Sequence, residues 1–87
     1  MNLNLSEKRV LITGSSTGIG KTIAKTFSAE GCKIALNGRS KNNLIKASSE
    51  FDNPVLCQGN MAVEKDAKNV IKKCTKELGG LDILVCN

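Results

Sequence analysis

The sequence of 87 residues contains no histidine, tyrosine or tryptophan and only two phenylalanines. The absence of histidine excludes a Ser-His-Asp triad, a Cys-His dyad and any histidine metal ligand within these residues. The absence of tyrosine excludes a phenolic acid or base. The length predicts one domain at most, with a core built from Val, Ile, Leu, Ala and Cys. A core this small and poor in aromatic residues indicates part of a larger structure.

Targeting segments and paired cysteines are also lacking. The polar segment Met1–Lys8 has no apolar core of a signal peptide, and no apolar run approaches the roughly 18 residues that span a bilayer. The four cysteines form no C-x-x-C pair, so we expect no zinc or other metal site. Cys32, Cys57 and Cys86 adjoin apolar, strand-like residues, where a reduced and buried thiol acts as a small hydrophobe. These features predict a cytoplasmic protein with no membrane partner.

The net charge of +5 is distributed unevenly. Residues 1–46 carry eight Lys/Arg and two Glu, whereas residues 47–87 carry five Lys and six Asp/Glu. The basic first half would attract phosphate groups. No aromatic stacking residues are interleaved with the basic ones and no recognition motif is present, so we expect no nucleic-acid partner.

Short apolar runs alternate with helical patterns along the whole chain. Four strands are predicted, at Val10–Ile12, Lys33–Leu36, Val55–Cys57 and Leu81–Cys86. Three helices lie between them, and their predicted inner faces consist of Ile19, Ile23, Ala24 and Phe27 in the first, Leu44, Ile45, Ser48 and Phe51 in the second, and Val63, Ala67, Val70, Ile71, Cys74 and Leu78 in the third. The order β-α-β-α-β-α-β with continuous apolar strands predicts an α/β fold whose parallel sheet is covered on both faces.

Residues that typically start or end helices support these boundaries. Gly31 is expected to follow the end of the first helix, and Ser40 to cap the start of the second. Pro54 blocks continuation of the second helix, and Gly79-Gly80 stops the third.

The loop after the first strand reads Thr13-Gly14-Ser15-Ser16-Thr17-Gly18-Ile19-Gly20. In a dinucleotide site, Gly14 would permit the tight turn, Gly18 would let the backbone approach a pyrophosphate, and Gly20 would let the helix pack closely. The N–H groups at the start of the helix, and the hydroxyls of Ser15, Ser16 and Thr17, would add hydrogen-bond donors. The alternative is a glycine-rich turn that binds nothing.

A nucleoside-triphosphate P-loop is a further alternative, because Gly20-Lys21-Thr22 resembles the end of that motif. The P-loop spacing requires a glycine at position 15, where this sequence has Ser. Its second element, an acidic residue after an apolar strand, is also missing, because Asp82 precedes its strand. Lys21 is therefore interpreted as a solvated residue of the first helical turn.

The end of the second strand indicates which dinucleotide would bind. A site that prefers NAD places an acidic residue there to bind the ribose 2′-hydroxyl. This sequence has Asn37-Gly38-Arg39-Ser40, in which the guanidinium of Arg39 and the hydroxyl of Ser40 suit a 2′-phosphate. This pattern favours NADP(H) over NAD(H), and the alternative is that Arg39 is an ordinary exposed loop residue.

These motifs carry a family resemblance. T-G-S-S-T-G-I-G resembles the T-G-x-x-x-G-x-G pattern of the short-chain dehydrogenase/reductase family, and Leu81–Asn87 resembles the family's fourth strand, which leads into N-N-A-G. The resemblance covers essentially the whole chain. It implies a Rossmann-type doubly wound parallel sheet, here partial, with strand order 3-2-1-4.

The resemblance also implies which residues bind the cofactor. Those expected near the pyrophosphate are Gly14, Ser16, Thr17, Gly18, Ile19 and Gly20. Arg39 and Ser40 would hold the 2′-phosphate, Asn60 and Met61 would lie beside the adenine, and Asn87 would lie near a ribose. Asn60 stands where the family usually has Asp, and Cys86 replaces the first Asn of N-N-A-G.

The family's catalytic Ser, Tyr and Lys lie beyond the fourth strand. Residues 1–87 are therefore predicted to be the N-terminal part of a single dinucleotide-binding domain, inactive alone because the catalytic half is absent. The complete protein is expected to be an NADP(H)-dependent oxidoreductase that transfers hydride to or from a small carbonyl or alcohol substrate, as a homo-oligomer. The alternative is a non-catalytic nucleotide-binding or regulatory fragment. We also expect the fourth strand to expose its outer edge and to promote association.

Overall fold

The computed structural model describes residues 6–87, in which four strands and three helices alternate. The strands are β1 (Arg9–Ile12), β2 (Lys33–Gly38), β3 (Val55–Gln58) and β4 (Ile83–Val85), and the helices are α1 (Gly18–Ala29), α2 (Lys41–Ser48) and α3 (Glu64–Leu78). The predicted α/β alternation is confirmed. Residues 1–5 lie outside the described part of the chain. They belong to the polar N-terminal segment that was interpreted as carrying no signal peptide. None of the described helices combines the length and hydropathy that crossing a bilayer requires.

The four strands form one parallel sheet in the order β3-β2-β1-β4, which confirms the expected order. Val10 of β1 is in register with Ile34 of β2 on one side and with Ile83 of β4 on the other. The order reverses direction at β1, because the chain first moves outwards to β2 and β3 and then returns to β4. In open α/β sheets, ligands bind outside the carboxyl ends of the strands at such a reversal.

Alternate residues of the strands face two separate apolar layers. On one face, Val10, Ile12 and Leu36 lie in a cluster with Ala24 of α1 and Leu44 of α2. On the other face, the cluster consists of Leu11, Ala35, Cys57, Val70 and Cys74, the last two from α3. The helices thus cover both faces of the sheet, which explains why the strands are continuously apolar.

Three residues assigned to inner helix faces are exposed instead. Ile19 is 74% exposed and Ile45 is 52% exposed, and Val63 is also exposed. On α2 the buried residues are Leu44 and Ala47, and Ile45 is turned away from Leu44 by about 100° around the helix axis. On α1 the same rotation separates Ile19 from the buried Gly20. Val63 is the N-cap of α3, ahead of its first buried residue.

The predicted caps are correct, but Phe51 lies outside α2. Gly31, with φ 87°, follows the C-cap of α1, and Gly79, with φ 81°, caps α3. The Ser40 side chain accepts a hydrogen bond from the Asn43 N–H and caps α2. Helix α2 ends at Ser48, so Phe51 packs against the core from the following turn.

Strand β4 is shorter than the sequence indicated, and Cys86 is exposed rather than buried. Asp82, directly before β4, binds the first residue of β1. Its carboxylate accepts hydrogen bonds from the Arg9 backbone N–H at 2.8 Å and from Arg9 Nε at 2.9 Å. The guanidinium holds the pKa of the Asp82 carboxyl well below its usual range. Leu84 points to the α3 side but is 46% exposed, because α3 packs over β2 and β3. No described strand pairs with the outer edge of β4.

Candidate functional site

A cavity of about 460 Å³ lies at the carboxyl ends of the strands, at the point where the strand order reverses. The loops that follow β1, β2 and β3 form its walls, and Asn87, two residues after β4, completes it. The cavity therefore has the position that the topology assigns to a ligand.

The glycines after β1 have conformations that other residues rarely adopt. Gly14 and Gly18 both have φ 59°, in the left-handed region. A Cβ atom at Gly20 would overlap the carbonyl oxygen of Gly14. Gly20 thus lets α1 approach closely, as predicted. The backbone that α1 approaches is that of the glycine loop rather than that of the sheet.

The start of α1 offers unpaired backbone N–H groups. Thr17 is the N-cap, and its side chain makes no capping hydrogen bond. The N–H groups of a first helical turn have no acceptors within their own helix, so they carry a partial positive charge that favours an anion. Ser16 and Thr17 line the cavity beside this turn. The loop can therefore receive a phosphate group through backbone donors and hydroxyls.

Ser15 does not belong to this set of donors. Its side chain is fully buried, and its hydroxyl donates to the carbonyl of Ile12 at 2.7 Å and accepts from the N–H of Asn37 at 2.9 Å. The expectation that Ser15 presents a hydroxyl to a ligand is wrong, because that hydroxyl joins β1 to β2.

The loop after β2 supplies positive charge. Arg39 is exposed and lines the cavity together with Ser40. Among residues 6–87, no carboxylate forms an ion pair with the Arg39 guanidinium. The backbone of Arg39 is held by Gln58, whose Nε2 donates to the Arg39 carbonyl at 3.2 Å. An unpaired guanidinium on a held backbone can bind an anionic group of a ligand.

The loop after β3 is folded around Asn60. The Asn60 N–H donates to Asp66 Oδ2 at 2.9 Å, and Asn60 Oδ1 accepts from the Ala62 N–H at 3.0 Å. The amide NH₂ of Asn60 and the second lone pair of Oδ1 can both bind a ligand. Met61 follows it in the cavity wall.

Asn87 is bound to the glycine loop. Its backbone N–H donates to Thr13 Oγ1 at 2.9 Å, and its Nδ2 donates to the Gly14 carbonyl at 3.2 Å. These bonds place Asn87 against Gly14 and Gly20, so it supports the cavity wall from the β4 side.

Most of the predicted site residues converge on one cavity. Its lining includes Gly14, Ser16, Thr17, Arg39, Ser40, Asn60, Met61 and Asn87, whereas Gly18, Ile19 and Gly20 form the adjacent first turn of α1. Gly38, part of the segment after β2 that was interpreted as selecting the dinucleotide, also lines the cavity. The lining residues not predicted as ligand-binding are Thr13, Asn37, Asn43, Gly59 and Ala62. Of these residues, Asn37 could have been recognised from the sequence, because it is a polar residue that directly follows an apolar strand segment.

Lys21 is directed away from the cavity. Its Nζ lies 2.8 Å from Glu50 Oε2, and Lys25 pairs with the other oxygen of the same carboxylate. Hydrogen bonds from these two lysines lower the pKa of Glu50 to about 2. Lys21 is thus an ion-paired surface residue rather than a freely solvated one. This position argues against the P-loop alternative, in which the lysine would contact the phosphates.

Comparison with known proteins gives consistent matches over nearly the whole chain. The family model for short chain dehydrogenase matches residues 8–87. Glucose 1-dehydrogenase of Gluconobacter oxydans is 40% identical over 86 residues, which cover 92% of this chain and 32% of that protein. The chain thus spans about a third of the length of the curated relatives it matches.

Two similar solved structures contain a nicotinamide cofactor. L-Sorbose reductase from Gluconobacter frateurii, complexed with NADPH and L-sorbose, has a TM-score of 0.89 at 32% identity, over 97% of this chain and 34% of that one. A 3-ketoacyl-(acyl-carrier-protein) reductase from Brucella melitensis, complexed with NADH, has a TM-score of 0.86 at 28% identity, over 92% of this chain and 33% of that one. The two neighbours differ in the cofactor they hold.

Proposed function

The chain belongs to the short-chain dehydrogenase/reductase family, and from this premise we propose that it forms the cofactor-binding part of an oxidoreductase that prefers NADP(H) to NAD(H). In the complete protein, the nicotinamide would exchange a hydride with a carbonyl or alcohol carbon of a small molecule. The chain itself contains no tyrosine, so we propose that the residues that move the substrate proton lie in the remainder of the protein.

The preference for NADP(H) is supported chiefly by the unpaired guanidinium of Arg39 at the carboxyl end of β2. No acidic residue occurs in Asn37–Ser40, so no carboxylate of that segment would repel a 2′-phosphate. A guanidinium binds a phosphate with two parallel hydrogen bonds, and Ser40 adds a hydroxyl at the start of α2. The family alone leaves the choice open, because one neighbour holds NADPH and another holds NADH.

The open shape of the glycine loop supports the proposal that it binds a pyrophosphate. A Cβ atom at Gly18 would meet nothing within 4 Å, so this part of the loop is open to a ligand. In the adjacent loop after β2, a Cβ at Gly38 would lie 2.6 Å from Ser16 Oγ, so the absence of a side chain at Gly38 lets the two loops lie close together. We propose that the first turn of α1 binds the pyrophosphate, while Asn60 and Met61 contact the base and Asn87 supports the loop near a ribose.

The proposal also concerns the cellular compartment and the assembly of the protein. The thiols of Cys57 and Cys74 are free and buried in the cluster under α3, which suits a reducing compartment such as the cytoplasm. We also propose, from the family resemblance alone, that the complete protein assembles as a homo-oligomer.

Nucleotide binding by Arg39 variants tests the proposal. Isothermal titration calorimetry of the wild type is expected to show tighter binding of NADPH than of NADH. Arg39→Ala should weaken NADPH binding by about tenfold or more, because a hydrogen bond to a charged group contributes about 1.5–3 kcal/mol. Binding of NADH should remain within about twofold, since NADH lacks the phosphate that Arg39 would bind.

Lys46→Ala is the matched control, because Lys46 is an exposed basic residue in the last turn of α2 and does not line the cavity. It should leave both affinities unchanged. Equal affinity of the wild type for NADPH and NADH would contradict the proposed preference, and no binding of either would contradict the proposed site.

A further inference from the structure

Asn37 is a buried polar side chain near the carboxyl end of β2, an interior strand of the sheet. It belongs to β2, next to Leu36, and is only 2% exposed. A buried amide is costly unless each of its polar atoms has a partner. Within the described residues, no buried side-chain nitrogen or oxygen lacks a hydrogen bond. The partners of Asn37 therefore explain why an amide occupies this position.

The two ends of the Asn37 amide bind different loops. Oδ1 accepts a hydrogen bond from the Gly14 N–H at 3.0 Å, in the loop after β1. On the other side, Nδ2 donates to the Cys57 carbonyl at 3.0 Å and to the Gly59 carbonyl at 3.2 Å, at the end of β3 and just beyond it. One short side chain thus connects the two opposite walls of the cavity.

The backbone of Asn37 reinforces the connection to the glycine loop. Its carbonyl accepts from the Ser15 N–H at 2.7 Å, and its N–H donates to Ser15 Oγ at 2.9 Å. Gly14 and Ser15 are therefore both held by the same residue of β2. The following N–H groups, from Ser16 to the first turn of α1, are left for a ligand.

No other side chain could replace this amide. Aspartate would keep the acceptor for Gly14 but would lose both donors and add a buried charge. Leucine would lose all three hydrogen bonds of the side chain. Only an amide on a one-carbon stem provides an acceptor on one side and two donors on the other.

We propose that Asn37 is a positioning residue that fixes the glycine loop relative to the loop after β3, and so sets the separation of the two walls that a dinucleotide must bridge. Asn37 acts through Gly14 and Gly59 rather than through a contact with the reacting atoms. This inference rests on the proposed dinucleotide function, which it deepens.

Two ligands of different length test the inference. NADPH would bridge both walls, whereas adenosine 2′-monophosphate carries the phosphate proposed for Arg39 but no pyrophosphate. In calorimetry with Asn37→Ala and Asn37→Asp, we expect NADPH affinity to fall at least tenfold and the ratio of NADPH to adenosine 2′-monophosphate affinity to fall at least fivefold. A lower melting temperature with an unchanged ratio would overturn the inference, because Asn37 would then be structural only.

Ile34→Ala provides the matched control. Ile34 is a buried residue of the same strand, three positions earlier, and does not line the cavity. Its truncation creates a core cavity and lowers stability. We expect the ratio of the two affinities to stay at the wild-type value in this variant, and a fall equal to that of the Asn37 variants would overturn the inference.

Amide hydrogen exchange without ligand separates this inference from the proposed function. In the wild type, the N–H groups of Gly14 and Gly59 are both bonded, the latter to the Gly38 carbonyl at 3.0 Å. Asn37→Ala should accelerate exchange at both glycines, whereas Asn37→Asp should accelerate it at Gly59 more than at Gly14. Unchanged exchange at both would overturn the inference. Accelerated exchange in a protein that binds neither nucleotide would contradict the proposed function alone.

Discussion

Two glycines of the loop after β1 are required for different reasons. Gly18 has φ 59°, but a Cβ atom there would enter open space. Gly20 lies inside α1, where the backbone conformation suits any residue, but its Cβ would overlap the Gly14 carbonyl. At Gly18 the requirement is conformational, and at Gly20 it is steric.

We expect Gly20→Ala to destabilise the protein more than Gly18→Ala. A left-handed conformation costs a non-glycine residue about 1–2 kcal/mol, and Gly18→Ala should lose about that much free energy of unfolding. Gly20→Ala must displace either α1 or the loop, so its loss should be larger and its NADPH affinity should fall as well. Urea unfolding of both variants measures the difference. A loss for Gly20→Ala no larger than that for Gly18→Ala would contradict the steric role of Gly20.

The sequence identified the site residues whose role depends on backbone position. Gly14, Gly20 and Arg39 follow from their places after strands, because parallel strands bring their carboxyl ends to one edge. The burial of Ser15 and the connecting role of Asn37 did not follow. Apart from the bond of Ser15 to Ile12, their partners lie 20 or more residues away in the chain, and hydrogen bonds of that kind leave no periodic pattern in a sequence.

At the scale of elements, α1 is joined to the turn after α2 by one carboxylate. Glu50 receives hydrogen bonds from Lys21 and Lys25, one turn apart on α1. They lower the pKa of Glu50 to about 2, below its usual value of about 4.3. A carboxyl whose pKa is lower in the folded state stabilises the protein above its unfolded pKa and loses that contribution as the pH falls through the folded value.

Replacement of Glu50 should therefore alter the acid dependence of stability. Glu50→Gln is expected to lower the melting temperature at neutral pH, and its difference from the wild type should shrink between about pH 5 and pH 2. Melting followed by circular dichroism at several pH values measures this difference. Glu64→Gln is the control, because the exposed pair of Glu64 with Lys68 on α3 should contribute little. A difference for Glu50→Gln that is constant over this pH range would contradict the assignment.

The order and type of every element could be predicted, but several helix faces could not. Strands buried on both sides give continuous apolar runs, and the caps at Gly31, Ser40 and Gly79 mark real boundaries. The assignment of buried faces failed at Ile19 and Val63, near the starts of their helices, and at Ile45 within α2, where each residue fits the approximate helical period but is exposed. A period gives the direction of a side chain and not whether another layer lies opposite it.

At the scale of the whole molecule, the outer edge of β4 is the least protected part of the sheet. Leu84 is half exposed on the face that α3 leaves open, and no described strand pairs with this edge. Edge strands of this kind favour pairing with another chain. We therefore expect the 87-residue chain to self-associate in solution.

Leu84→Lys should reduce this association, because a charge on an edge strand opposes pairing. Sedimentation velocity at increasing protein concentration measures the effect. Ile45→Lys is the matched control, since Ile45 is similarly exposed but lies on α2, away from the edge. A wild-type chain that stays monomeric at all concentrations, or equal effects of the two substitutions, would contradict this role for β4.

The central position of β1 has a consequence for synthesis on the ribosome. β1 pairs with β2 across 24 residues of sequence but with β4 across 73. The longer loop costs more entropy to close, and β4 is translated after the other three strands. The nascent chain can therefore assemble β1, β2 and β3 while the other side of β1 is still open. Asn87, which binds Thr13 and Gly14, reaches the glycine loop only after β4 has docked. The nucleotide cavity is thus the last part of this region to be completed during translation.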